Sequence, residues 1–289
     1  MTESTQPAGL QSVLEGFRVG ISISGGSHLG SLGLTEDSVN EATRRLAEAL
    51  LSRGAAVVFG HDWRPEGVMA EVFRLALDYR SAFDGPRLIN YLPWPRQPSV
   101  SPEDLEQVAS VLEVRRMERP ENLKGDQDPA VLQAVALTQL RRVLADVCSA
   151  RICLGGKLSE FEGTMPGVME EAWLTLRAAK EGKDQGGKAL YVSALLGGVA
   201  AALIEALEGG TWDERLGLPA PERRERLAGS VSREMPDFVR EQGMRLIVEG
   251  NGLDKKENRA LFHASDLETV VILVLRGLSR LAERRRERE

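Results

Sequence analysis

The sequence predicts an α/β protein in which helices cover both faces of a parallel sheet. Patterns typical of buried strands and of amphipathic helices alternate from residue 17 to about residue 207. Such alternation is the signature of βαβ units. In addition, several of the predicted strands end in glycine-bearing turns, as strands of a parallel sheet often do where they lead into helices. With 289 residues, 42% of them hydrophobic, the chain is long enough to bury a sizeable core around the sheet.

Each predicted element has its own local signal. The strands are short apolar runs, predicted at residues 17–24, 55–59, 87–92, 150–154 and 189–193. The first helix opens at Thr35-Glu36-Asp37 and carries apolar residues at a 3.6-residue period. Further helices are predicted to end near Tyr79, to begin at Asp128-Pro129, to run from Pro166 to about Glu181 and to follow Gly198.

The segment from Leu92 to Asp128 is long for a connection between a strand and a helix. Within it, Ser101-Pro102-Glu103-Asp104 is a good helix start, and Leu105, Val108 and Leu112 follow at helical spacing. We therefore expect a helix through Leu112. Long insertions beside a sheet often form lids or pocket walls, and we expect that role here.

The two ends of the chain differ from the alternating middle. Residues 1–16 are mostly polar and are predicted to be disordered, and residues 17–208 are predicted to form the α/β domain. Residues 209–289 are predicted to form a helical extension that packs on the same domain or serves as a dimer element. The final helix begins with a capping box at Ser265-Asp266-Leu267-Glu268.

Composition narrows the classes of function. The net charge of −6 argues against a general nucleic-acid binder, which would carry a basic face. No apolar run approaches the roughly 20 residues that span a bilayer. Cys148 and Cys153 flank a predicted buried strand and are expected to be reduced thiols of a cytoplasmic protein. The three histidines are scattered along the chain, so we expect no metal site.

Four glycine-bearing loops follow predicted strands, at residues 24–28, 60–64, 155–157 and 196–198. Because parallel strands bring their carboxyl ends to one edge, these loops are expected to converge there, next to helix N-termini. Such an arrangement favours phosphate or another anion, although any single loop is explained equally well as a tight turn. The chain has neither a GxGxxG sequence nor a Walker loop.

Several side chains in these loops are candidate ligand contacts. Ser24 and Ser27 can donate hydroxyl hydrogen bonds, and Lys157 is a candidate phosphate cation. Arg64 is a stronger one because its guanidinium binds phosphate with two parallel hydrogen bonds; the alternative is a surface salt bridge. Asp62 and Trp63 precede it, and Trp63 either stacks on a base or packs against the sheet.

Glu170 and Glu171 lie in the first turns of the helix that follows the third of these loops. One of them is a candidate for binding a ribose hydroxyl or for glycosidic chemistry. The alternative is that both carboxylates simply complement the positive end of the helix.

These motifs resemble those of a known family. Gly60 through Gly67-Val68-Met69, followed by Gly155-Gly156, Gly163-Thr164 and Glu170, is similar to the LOG-type "lysine decarboxylase-like" phosphoribohydrolases. Their pattern is a GG…GLM loop and then PGGxGTxxE. Over roughly residues 17–208 the chain resembles the broader SLOG superfamily of nucleotide-ligand domains, especially members found beside TIR and nucleoside-phosphorylase-like domains.

The resemblance implies a Rossmann-like three-layer αβα fold, a homodimer or higher homo-oligomer, and a pocket for a nucleotide-type ligand without a required cofactor. It implies a pocket floor formed by Gly25, Gly26, Gly60, Gly155, Gly156, Gly163 and Thr164. Arg64, with Arg141 or Arg142, would sit near the ligand phosphates. If the protein is an enzyme, Glu170 and Arg142 are the implied catalytic residues.

The chain also departs from the LOG pattern. Leu154 replaces the proline before the glycine pair, and six residues separate that pair from Gly163. Two hypotheses follow. The first is a sensor domain for an ADP-ribose-, NAD- or NMP-like ligand in a prokaryotic signalling or defence system. The second is a nucleoside-monophosphate N-glycosidase, and a purely structural protein is a third alternative.

Overall fold

The computed structural model describes residues 13–60, 67–79, 85–96, 101–120, 128–182, 188–219 and 233–288. They form a parallel sheet with helices on both faces and further helices at the C-terminal end, which confirms the predicted Rossmann-like α/β architecture. The predictions for Asp62, Trp63 and Arg64, and for residues 1–12, fall outside the described residues.

The sheet has six strands, all parallel to their neighbours. They are β1 (Arg18–Ser24), β2 (Ala56–Phe59), β3 (Leu88–Leu92), β4 (Leu112–Arg116), β5 (Ala150–Gly155) and β6 (Ala189–Ser193). Their order across the sheet is β4-β3-β2-β1-β5-β6. The chain thus builds outward from β1 to β4 and then returns to place β5 on the other side of β1. The direction reverses between β1 and β5, which is where α/β sheets of this kind bind ligands.

The helices of the α/β part are α1 (Glu36–Leu51), α2 (Val68–Tyr79), α3 (Pro102–Gln107), α4 (Pro129–Val147), α5 (Gly167–Glu181) and α6 (Gly198–Leu207). Then comes a helical run, α7, made of Met235–Phe238, a π-helical stretch Val239–Gly243 and Met244–Gly250. The last two helices are α8 (Lys255–Phe262) and α9 (Leu267–Arg286). None of the described helices combines the length and apolar character that a membrane crossing requires.

The alternation of side chains along β1 determines which of its residues face each side of the sheet. β1 sends Val19, Ile21 and Ile23 into the core that it shares with α1, α2 and α9. Because side chains alternate along a strand, Gly20, Ser22 and Ser24 face the opposite layer, which contains α4 and α5. Small and polar residues of β1 therefore line the layer that carries the candidate acidic residues.

The prediction of a helix through Leu112 is wrong. α3 ends at Gln107, and Leu112 opens strand β4, which pairs with β3 over Leu88↔Leu112 to Leu92↔Arg116. β4 is an edge strand that buries little more than Leu112, and its Leu-Glu-Val-Arg-Arg sequence gives only a weak strand signal. The helical spacing of Leu105, Val108 and Leu112 was therefore fortuitous.

Both chain ends contribute to the core. Residues 13–16, which we assigned to the N-terminal tail, form a turn whose Leu14 is fully buried and donates its N–H to the Arg53 carbonyl at 2.9 Å. The α9 cap is Asp266, one residue later than the start of the predicted box, and it accepts from the Thr269 N–H at 2.7 Å. Hydrophobic side chains of α8 and α9 lie in the same core cluster as β1.

Buried amides connect the C-terminal helices to strand β6. The Tyr191 hydroxyl donates to the Asn251 carbonyl at 2.7 Å, and the Asn251 amide donates to the Leu190 carbonyl at 3.0 Å. The same amide donates to the Asn258 side-chain oxygen at 2.7 Å. The C-terminal helices are therefore an integral part of the packed structure.

Candidate functional site

The described residues form a cleft at the carboxyl end of β1, where the sheet order reverses. Its larger half, about 870 Å³, lies beside the first turns of α1 and α2. Its smaller half, about 240 Å³, lies beside α4 and the start of α5. Ile23, Ser24 and Lys157 line both halves. The two halves thus meet over the end of β1, on opposite sides of the sheet.

Two glycines of the turn after β5 allow this turn to contact the end of β1. Gly155 and Gly156 have φ angles of 62° and 101°, which only glycine adopts readily. A Cβ on Gly155 would lie 2.5 Å from the Ser24 carbonyl oxygen, and the Gly156 N–H donates to that oxygen at 2.8 Å. These glycines therefore form a direct contact between two strand ends, and neither of them lines the cleft itself.

The larger half already faces carboxylates at the start of α1. Glu36 lies against Gly25, so that a Cβ on Gly25 would be 2.3 Å from the glutamate Oε1. Asp37 lines the same half, and Glu71 forms an ion pair with Arg74 there. The positive end of α1 is thus complemented by the protein itself. This half favours neutral, hydrogen-bonding groups over phosphate.

Among the described residues, the smaller half is lined by three basic side chains and by three glutamates. It is lined by Arg96, Arg141 and Lys157 and opens onto Gly167 and Val168, the first residues of α5. Arg96 is in an ion pair with Glu162 at 2.5 Å. Within the described parts of the chain, Lys157 has no ion pair. The free N–H groups of a helix start, with unpaired positive charge beside them, favour an anion.

Arg141 is held firmly at this place. Its Nη1 donates to Oε2 of Glu170 in a short ion pair. A Cβ on Gly163 would lie 2.6 Å from Nη1, and a Cβ on Gly167 would lie 2.7 Å from Nη2. The two glycines therefore provide the space that the guanidinium occupies, since any larger residue would displace it.

Glu170 supports Arg141 from behind the cleft. Only 4% of it is exposed, and its Oε1 accepts from the Thr138 hydroxyl at 2.7 Å while Oε2 binds Arg141. Thr138 also lies 3.2 Å from the Thr164 hydroxyl. Both oxygens of Glu170 are thus engaged behind the cleft. Sequence reasoning missed Thr138, because nothing distinguishes it from an ordinary residue of an amphipathic helix.

Glu171, the next residue, lines the smaller half of the cleft. On its other side, its Oε2 lies 3.4 Å from Nη1 of Arg151, a residue of β5 that is 2% exposed. Arg151 also donates to the Ser22 hydroxyl at 2.8 Å. Sequence reasoning missed Arg151, although a charge inside an otherwise apolar strand was a usable signal.

The remaining predicted residues lie at various distances from this centre. Gly60 lines the smaller half. A Cβ on Gly26 would lie 3.3 Å from Cγ of Lys157, so this glycine adjoins the cleft. Ser27 is exposed and lines neither half. Arg142 is also exposed and lines a separate groove with Arg177 and Glu181, so the structure brings Arg141 to the cleft and not Arg142.

No group of three His, Cys, Asp or Glu side chains that could hold a metal ion occurs within the described ranges. The two cysteines are buried, and burial raises the pKa of the Cys153 thiol to about 12. A thiol of that pKa is protonated at neutral pH and does not act as a nucleophile.

Comparison with known proteins agrees with this geometry. The family model described as SLOG cluster2 matches residues 13–261, a range that takes in all six strands and reaches into α8. No curated protein and no solved structure matches the chain. The resemblance seen in the sequence is thereby confirmed: the chain belongs to the SLOG superfamily, within SLOG cluster2, and this membership suggests a nucleotide-related function.

Proposed function

We propose that the protein binds a nucleotide-derived small molecule in the cleft, with the ligand phosphate and the adjoining sugar in the smaller half and the rest of the ligand in the larger half. One observation supports this most directly. Arg141 is fixed by Glu170 beside the start of α5, in a cavity that Lys157 also lines, at the reversal point of the sheet.

The proposed orientation follows from the charges on the two sides. A helix N-terminus contributes about 0.3–1 kcal/mol toward an anion, and a hydrogen bond to a charged group contributes about 1.5–3 kcal/mol. Arg141, Lys157 and the start of α5 supply such terms together in the smaller half. In the larger half, Glu36 and Asp37 lie at the start of α1 and already complement its positive end. The phosphate therefore belongs with Arg141, the sugar lies beside Glu171, and a base belongs with the larger half.

A sensor role, in which the ligand is bound and not consumed, fits the state of Glu170. Its carboxylate is buried and held by Thr138 and Arg141, so it is not free to act on a ligand. We propose an NMP-, ADP-ribose- or NAD-like ligand and a role in prokaryotic signalling or defence. This part of the proposal comes from the resemblance to SLOG members of conflict systems.

A specific observation also favours a second function, a nucleoside-monophosphate N-glycosidase. Glu171 presents a carboxylate to the same half of the cleft as Arg141. A carboxylate beside the ribose would stabilise the positive charge that develops as the glycosidic bond breaks, and this stabilisation must be larger in the transition state than in the bound substrate. In that case the catalytic pair is Glu171 and Arg141, in place of Glu170 and Arg142.

Calorimetry tests the binding proposal, with AMP, ADP-ribose, cyclic ADP-ribose and NAD as ligands. We expect the wild-type protein to bind at least one of them and Arg141→Ala to bind it about 10- to 100-fold more weakly, because charge-assisted hydrogen bonds to phosphate are lost. Arg142→Ala is the matched control, since it removes the neighbouring arginine outside the cleft and should bind as the wild type does. Equal losses in both variants, or no binding to any ligand, would contradict the proposal.

The same samples separate binding from turnover. Chromatography after incubation with AMP shows whether free adenine appears. Release that disappears in Glu171→Gln, while AMP binding persists, supports the glycosidase. Bound AMP that is recovered intact supports the sensor.

A further inference from the structure

Arg151 is a charged residue in the middle of the sheet, and its surroundings are built to admit it. It lies on β5 next to Gly20 of β1, where a Cβ would be 3.0 Å from its Nη1. Ser22, two residues farther along β1, accepts from the same Nη1 at 2.8 Å. On its other face β1 carries Val19 and Ile21. The small residues on this face therefore make the space that a buried guanidinium needs.

The stability of the fold does not account for this arginine. Its Nε and Nη2 are buried without an acceptor within the described residues, and its ion pair there is the one with Glu171, at 3.4 Å. Removing a charge from water costs several kcal/mol, and a buried ion pair is often no better for stability than apolar residues of the same size. A half-satisfied buried arginine is therefore a costly way to fill the core.

Glu171 connects this buried charge to the cleft. One side of its carboxylate faces Arg151, and its other side lines the smaller half with Arg141 and Lys157. An arginine does not lose its proton at any physiological pH. Loss of the Glu171 carboxylate would leave Arg151 buried and uncompensated, so the ion pair ties this carboxylate to one place beside the cleft.

We propose that Arg151 is a positioning residue, which holds the Glu171 carboxylate at the wall of the smaller half, so that the site selects phosphate-bearing ligands that also offer a hydroxyl donor to this carboxylate. The inference rests on the proposed function and sharpens its ligand class. Sugar phosphates with free ring hydroxyls fit it. Inorganic phosphate has no ring hydroxyls to present to this carboxylate; it meets Arg141 and Lys157, and its negative charge is repelled by Glu171.

Ribose 5-phosphate, 2-deoxyribose 5-phosphate and inorganic phosphate are suitable probes, because they share the phosphate and differ in the hydroxyls. The variants are Glu171→Gln, Arg151→Met, Arg151→Lys and the double variant Glu171→Gln with Arg151→Met. Calorimetry is done on the full-length protein after thermal denaturation has shown which variants fold. The double variant removes both charges together, which keeps a folded sample available if Arg151→Met alone does not fold.

For the wild type we expect ribose 5-phosphate to bind about tenfold more tightly than inorganic phosphate, with 2-deoxyribose 5-phosphate in between. Glu171→Gln, Arg151→Met and the double variant should reduce that preference to about twofold or less while inorganic phosphate still binds. Arg151→Lys, which keeps the charge, should restore part of it. A merely structural role for Arg151 would weaken all three probes alike and leave their ratios unchanged.

Two outcomes overturn the inference, and they are distinguishable. A wild-type preference that survives in Glu171→Gln or in the Arg151 variants contradicts the role of the pair while leaving the phosphate site intact. Failure of all three probes and of the four nucleotides to bind the wild type contradicts the proposed function itself, and the inference with it.

Discussion

Arg141 and Arg142 are consecutive residues of α4, yet only Arg141 reaches the cleft. A helix turns by about 100° per residue, so neighbours of the same type can face different surroundings. Glu170 and Glu171 repeat this on α5: Glu170 lies behind Arg141, and Glu171 lies between Arg151 and the cleft. In both pairs, the direction in which a side chain points decides whether it reaches the cleft.

The reactivity of the two buried thiols tests whether the core around β5 is closed to solvent. Cys148 and Cys153 are 3% and 0% exposed, and burial raises the pKa of both. Because the thiolate is the reactive form, we expect Ellman's reagent to modify neither cysteine in the native protein within minutes, and both in 6 M guanidinium. Ser27→Cys is the control, since Ser27 is exposed and should react quickly. Rapid modification of the wild-type native protein would show that the core around β5 is open.

The sequence predicted the residues of the site better than their contacts. Gly155, Gly156, Gly163, Thr164 and the two glutamates were predicted because they lie close together in one motif, and of these Glu171 lines the cleft while the others lie around it. Arg151 and Thr138 were missed because their importance comes from distant partners: Arg151 donates to a serine 129 positions earlier, and Thr138 donates to a glutamate 32 positions later. Local patterns carry no information on such pairs.

The contact between α8 and α9 depends on one carboxylate. Glu257 accepts from Arg280 at 2.6 and 3.0 Å and from Arg276 at 3.2 Å, and it closes the capping box at the start of α8. Hydrogen bonding from Arg280 is the main reason that the pKa of Glu257 is lowered to about 2. Glu257 thus ties the first turn of α8 to the middle of α9.

We expect Glu257→Gln to lower the free energy of unfolding by about 1 kcal/mol at pH 7. The pKa of the carboxyl is lower in the folded than in the unfolded protein, so its contribution is complete above about pH 4.5 and is lost as the pH falls toward 2. Urea unfolding across this range should therefore show wild type and variant converging in acid. Glu249→Gln, which removes one exposed pair with Arg245, should have little effect. A difference that persists at pH 2 would contradict this account.

The predicted elements agree with the structure where a strand is buried on both faces or where the apolar residues of a helix recur with a clear period. β3, β5 and β6 are buried along their whole length and appear in the sequence as largely apolar runs, which Asn90 interrupts in β3 and Arg151 in β5. β4 lies at the edge, and its intermediate positions carry Glu113 and Arg115, which pair with each other. An edge strand of this kind is stabilised by backbone pairing with its neighbour, which no side-chain pattern reveals.

The order of the strands is a property of the whole molecule, and a single sequence did not supply it. Alternation predicts a parallel sheet but does not say that β5 returns to the far side of β1. The cleft lies at that return. Its general place, at the carboxyl ends of the strands, could be predicted, whereas its division into a half beside α1 and α2 and a half beside α4 and α5 could not.

Removal of residues 209–289 tests whether the C-terminal helices and the α/β part fold as one cooperative unit. Val270, Leu273, Val274 and Leu278 of α9 lie in the core cluster that contains β1, and Asn251 is bonded to β6. We expect the shortened chain to lose cooperative thermal unfolding by circular dichroism and to bind a hydrophobic dye. Removal of residues 287–289 alone should leave the transition unchanged. A shortened chain with a cooperative, wild-type transition would show that the C-terminal helices are a separate unit.

The return of β5 to β1 has a consequence for how the chain folds as it is synthesised. β1 pairs on one side with β2, which follows within 40 residues, but on its other side with a strand that begins at Ala150. Until β5 is made, the glycine turn of β1 has no partner and the cleft does not exist. Loop closure over such a distance is entropically costly and slow. A ligand that bridges the two strand ends therefore stabilises the joining of the two halves of the chain, so its concentration in the cell would influence how much of the newly made protein stays folded.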